Sequence, residues 1–141
     1  MFLARARLLK KIDVERVREA IAAAEHQTSV RVRVSLAPFF WGDVRRAAER
    51  AFTRLGRRGV LIFVVPARRK FAVLGDEDVH ARVGQEFWDD VTAAIAERFR
   101  AGAFTGGLIH GIETSGSELA PALPYDAAAD TGEGPDEIDV G

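Results

Sequence analysis

The apolar positions change period several times between residues 13 and 119, and each change marks an element. Val14, Val17, Ile21 and Ala24 follow helical spacing after Asp13, a good N-cap, and predict a helix over about 13–26. From Ser29 to Leu36 the period becomes two. Val30, Val32, Val34 and Leu36 face one way, and Ser29, Arg31, Arg33 and Ser35 face the other. That is a strand with one buried face, whose arginine face must be wet or paired. After the break at Pro38–Gly42, Asp43 caps a second helix carrying Val44, Ala47, Ala48, Ala51, Phe52 and Leu55, ended by Gly56. Val60–Val65 is apolar throughout, the mark of a central strand buried on both faces.

The turn Pro66–Arg69 leads to a short strand, Phe71–Leu74. Four turn residues between two strands imply an antiparallel pair, whereas strand–helix–strand implies a parallel crossover. Together they predict a mixed sheet. The rest reads as helical after an acidic loop, Gly75–Asp78. A short stretch covers Val79–Val83, a helix runs from Glu86 to about Arg100, and a last helix spans Phe104–Leu119. Gly106, Gly107, Gly111 and Gly116 disfavour that last helix by about 1 kcal/mol each and suit close packing on the sheet. Pro121 and Pro124 end regular structure. Residues 126–141 hold six acids, no base, three Gly and one Pro, so they read as an acidic, solvated C-terminal tail. The organisation is a basic segment (1–12), one α/β domain (13–125) and the tail (126–141).

Composition adds limits. A chain of 141 residues fits one domain. It has no cysteine, hence no disulfide, thiolate nucleophile or Cys-bound metal. No run approaches the roughly 18 apolar residues of a membrane span. Arg5, Arg7, Lys10 and Lys11 interrupt any signal-peptide core, so a cytoplasmic location is expected. The net charge of −1 hides an asymmetry, because residues 1–70 carry 17 Lys/Arg and 6 Asp/Glu, and residues 71–141 carry 3 and 15. Arg46, Arg50 and Arg54 form a helical stripe, but without stacking aromatics or an overall basic excess it reads as a solvated face, not a nucleic-acid surface.

The chemical signals are few. Gly106–Gly111 follows a helix and is no dinucleotide fingerprint, and no motif indicates an organic cofactor. His26, His80 and His110 are far apart, against a histidine-ligated metal. Asp76, Glu77 and Asp78 at a strand end are the best candidate for a hard cation such as Ca²⁺ or Mg²⁺, with Asp43 expected at the same sheet end. The bland alternative is that Asp43 is an N-cap and the acidic loop is solvated. Phe39, Phe40 and Trp41 are a binding surface if exposed and a lid if buried. No complete catalytic constellation is present.

The order of Ile21–Ser29, Ala47–Phe52 with Leu55-Gly56, Gly59–Ile62, Phe71–Asp76, Glu86–Asp89 and Phe104–Gly111, then Pro124-Tyr125 and Pro135–Ile138, resembles the TPM-domain family, particularly its small bacterial members. The resemblance covers about residues 12–141 and implies a single-domain, Rossmann-like α/β sandwich with a mixed sheet flanked by helices. It also implies divalent-cation binding (Ca²⁺ or Mg²⁺) at Asp76, which carries over by position, and less directly at Asp43, with at most weak phosphatase activity; the acidic loop adds Asp78 as a helping ligand. The alternative is a non-catalytic module that binds a protein partner through the basic first half and the acidic tail. Three departures touch the expected site. Arg31 stands where the family carries a carboxylate, Leu55–Val60 is a shortened connection without the family's Arg-Asn-Gly, and Asp78 replaces a Gly. A cation in place of an anion repels a metal ion.

Overall fold

The computed structural model describes residues 11–127 and 138–140. The chain order is α1 (Val14–Glu25), β1 (Val32–Leu36), α2 (Val44–Arg54), β2 (Val60–Val65), a 3₁₀ turn (Pro66–Arg68), β3 (Lys70–Gly75), α3 (Glu77–Arg82), α4 (Gln85–Arg100), α5 (Phe104–Leu119) and β4 (Ile138–Val140). Asp13 and Asp43 start their helices as expected, their carboxylates accepting from the N–H groups of Arg16 and Arg46.

The sheet order is β3-β2-β1-β4. β1 and β2 are parallel, joined by α2, and β2 and β3 are antiparallel. The mixed sheet predicted from connection lengths is therefore present. All six residues of β2 are buried because the strand feeds two cores. Val60, Ile62 and Val64 join Val32, Val34 and Leu36 beneath α1, α4 and α5. Leu61, Phe63 and Val65 join Ala72 and Leu74 against Ala48, Ala51 and Phe52 of α2. Each such side chain contributes about 1.5–3 kcal/mol on burial, which is why the run tolerates no polar residue.

Three expectations need correction. The glycines of α5 face helices more than the sheet. A Cβ at Gly107 would lie 2.6 Å from Phe99, one at Gly111 2.5 Å from Ile95, and one at Gly116 2.9 Å from Ala24. The close approach is thus to α4 and α1. Gly75–Asp78 is not an acidic loop, since Asp76 is the N-cap of α3 and Glu77 and Asp78 are its first turn. The tail is not solvated throughout, because Ile138–Val140 pairs in parallel with β1. Ile138 is buried, and Asp139 accepts from the Ser35 hydroxyl at 2.8 Å and from both terminal nitrogens of Arg54 at 2.8 and 3.2 Å. That carboxylate raises the Arg54 pKa above its ordinary value. The basic segment 1–12 lies outside the described residues except for Lys11 and Ile12, and Ile12 is buried in the larger core. The arginine face of β1 is paired rather than wet at Arg33, which is buried and donates to the Leu55 carbonyl.

Candidate functional site: an acidic helix cap and a basic, aromatic groove

Asp76 ties two segments together. Its Oδ1 accepts from the Val79 N–H at 2.8 Å, capping α3, and its Oδ2 accepts from the Gly59 N–H at 2.6 Å. The Asp76 N–H returns a bond to the Gly59 carbonyl at 3.0 Å. Gly59 is required there. Its φ is +72°, and a Cβ would lie 2.0 Å from the Arg31 carbonyl oxygen. Asp78 lines a groove of about 540 Å³ with Asp76 and Glu77, and Arg45, Arg57 and Glu49 line its other side. Arg57 is paired with Glu49 at 3.1 Å.

Asp43 is elsewhere. It follows the C-terminal end of β1, and the neighbouring Gly42 carbonyl accepts from Arg68 just after β2. Asp76 sits where β2 begins, since Gly75 pairs with Val60 and Lys70 with Val65. Six strand residues at about 3.3 Å per residue separate the two ends. The expectation that Asp43 and Asp76 share a sheet end is therefore overturned: β3 runs antiparallel and carries Asp76 to the opposite end. The Arg46 N–H holds the Asp43 carboxyl below the usual carboxylate range, as expected of an N-cap. Among the described residues, no three His, Asp or Glu side chains gather so as to hold a metal ion.

A second groove, of about 770 Å³, follows β3 itself. Lys70, Phe71, Ala72 and Val73 form its floor, with the start of α2 on one side and α4 on the other. Trp41, Arg45, Arg68, His80 and Trp88 also line it. Trp41 is 87% exposed and Phe39 47%, so the aromatic loop is a surface and not a lid. Phe39 packs edge-on against Trp41. Arg68 stacks over Phe40 and donates to the Phe40 and Gly42 carbonyls, which fixes the loop. At the far end His80 stacks on Trp88 with centroids 4.7 Å apart. Gly75 leaves room for that indole, since a Cβ there would meet Trp88 at 2.3 Å.

Trp41 is legible in the sequence as a candidate surface residue, but this groove is not. The available signal was β3's position as the last strand of its hairpin before a helical half, which leaves it at a sheet edge. Trp88 falls in the apolar stripe Phe87, Trp88, Val91, Ile95 and Phe99 of its helix, which suggests a core residue, yet it is half-buried and lines the groove.

The TPM domain family model matches residues 3–118. The chain is 33% identical to the BA42 protein of the psychrophilic bacterium Bizionia argentinensis, known from an NMR structure. That match covers 92% of this chain and 95% of BA42, with a TM-score of 0.82. The N-terminal domain of cg2496 from Corynebacterium glutamicum shares the fold at 16% identity and a TM-score of 0.66, over 81% of this chain and 76% of that one. No functionally curated protein matches. No helix among the described residues is long and apolar enough to cross a membrane. The family model and the BA42 match together establish that the chain belongs to the TPM domain family.

Proposed function

We propose that this TPM domain is a non-catalytic binding module and that the groove along β3 is its binding surface. The carrying observation is the company Trp41 keeps. An indole left 87% exposed sits beside Arg45, Arg68 and Lys70 and across from Trp88. Tryptophan and arginine dominate binding hot spots because each offers large contact area with directed polar groups. By contrast, both oxygens of Asp76 are engaged by backbone N–H groups, and Asp43 caps a helix. These are structural tasks.

The chain's two tryptophans, Trp41 and Trp88, both line the groove, so intrinsic emission reports its occupancy directly. Titration with charged heptapeptides, one acidic and one basic, should shift the emission for one of them and leave Trp41→Ala with weaker binding. No shift with either would remove the reading.

A second reading places Ca²⁺ or Mg²⁺ at the acidic turn with weak phosphatase activity, a metal polarising a phosphoryl oxygen. In its favour, Asp76, Glu77 and Asp78 line one groove. Against it, Arg45 and Arg57 line the same groove and oppose a cation. Titrating Ca²⁺ and Mg²⁺ into ¹⁵N-labelled protein decides: unmoved amides at Asp76–Asp78 at millimolar ion would end it.

A further inference from the structure

We infer that β3 accepts an extended acidic peptide as an added strand, its backbone pairing with the outer edge of the sheet. This inference rests on the groove being the binding surface and names what it binds and how.

The register fixes which backbone groups are offered. The Asp76 N–H bonds the Gly59 carbonyl, so Gly59 and Asp76 are a hydrogen-bonded pair of the antiparallel ladder. Such pairs alternate, which makes Leu61 with Leu74, Phe63 with Ala72 and Val65 with Lys70 the other bonded pairs. The β1 side agrees, because the Val60 N–H and the Val64 carbonyl bond toward Arg31 and Ala37. Phe71, Val73 and Gly75 therefore turn their N–H and C=O groups away from β2. Among the described residues, no strand pairs with that side, since β3 ends the sheet order. Three donors and three acceptors thus recur about every 6.8 Å along an open edge.

The groove bridges both faces at this edge. Its walls come from α2, which packs on one face of the sheet, and α4, which packs on the other, with β3 between them. An extended segment is the shape that fits such a slot and satisfies a row of alternating backbone groups. Charge selects the acidic class. The cations lining the groove are Arg45, Arg68 and Lys70. Two carboxylates, Asp43 and Asp89, line it as well, so the cations exceed the anions by one. Lys70 is exposed at the entrance of the strand, where a carboxylate of the bound segment can reach it. Trp41 and Trp88 stand at the two ends of the slot and cover the apolar residues of the bound segment.

The test uses the full chain and a heptapeptide alternating Glu with Val, its Lys–Val counterpart, and two N-methylated forms of the acidic peptide carrying the methyls on alternate residues. Binding is followed by tryptophan emission, and amide hydrogen exchange is read at Phe71, Val73 and Gly75. The acidic peptide should slow exchange at those three amides about tenfold or more, and Lys70→Glu should weaken binding about tenfold. One N-methylated form should bind as well as the parent and the other should fail. If emission shifts but the three amides keep their rates and both methylated forms bind alike, the groove binds peptides without strand addition and this inference is overturned alone. If the Lys–Val peptide binds as tightly, the acidic class is wrong. If no peptide shifts the emission, the binding-module reading falls and this inference with it.

Discussion

Asp76→Ala separates a structural carboxylate from a metal ligand. The substitution removes two hydrogen bonds at once, to Gly59 N–H at 2.6 Å and to Val79 N–H at 2.8 Å. Loss of an N-cap costs about 1 kcal/mol. Gly59 is buried, so its N–H is left without a partner at a cost of about 1–3 kcal/mol. The sum is about 3 kcal/mol, a large share of the roughly 5–15 kcal/mol that holds a domain together. Asp76→Asn should fall between, near 2 kcal/mol, because an amide offers one acceptor and turns its NH₂ toward the other N–H. The assay is urea unfolding followed by far-UV circular dichroism in EDTA. The midpoint should fall at unchanged slope. A loss under about 0.5 kcal/mol for Asp76→Ala would refute the clamp. The same melts with added Ca²⁺ give the converse: stabilisation of the wild type that vanishes in Asp76→Ala would assign the carboxylate to an ion.

Glu118 on α5 is pushed up to about 7 by burial first, then by hydrogen bonding and repulsion from Asp90 and repulsion from Glu86 on α4. A carboxyl with a raised folded pKa gives its full stability below its unfolded value and loses it as pH climbs toward 7, so Glu118→Gln should match the wild type at pH 4 and exceed it at pH 8. The half-buried position limits that gain to about 1 kcal/mol, measurable by thermal melts across pH. Gly59→Ala should cost more than about 3 kcal/mol or abolish folding, since the obstacle is backbone and φ is positive; soluble yield and a urea midpoint check it. Asp139→Ala should free β4 locally for about 1 kcal/mol, seen as faster amide exchange at Ile138–Val140 with the global midpoint little changed.

Most of the fold is visible in the residue pattern because burial there is periodic. The last helix is predicted over its full extent, and the parallel and antiparallel connections follow from their lengths. What escapes the pattern depends on distant partners. Ile138–Val140 is too short to show a period and lies among acids and glycines, yet Val34 and Leu36 give it a place. Asp43 and Asp76 are each recognisable as special, but which end of the sheet each reaches depends on strand direction carried through to β3. The exposed Trp41 can be read as a candidate surface. Its relation to Trp88 cannot, because 46 residues and several elements of the fold intervene.

The pairing of β4 with β1 gives this small domain an unusual order of completion. Ser35 and Asp139 are 104 positions apart, so the outer edge of β1 stays open until nearly the whole described chain has been synthesised. Contacts that distant are slow to close, and an open β1 edge beside a finished core is a template for stray strands. The Arg54–Asp139–Ser35 latch then does more than hold three residues. It covers the outer edge of β1 with a strand of only three residues, which leaves β3, six residues long, as the longer edge of the sheet among the described residues.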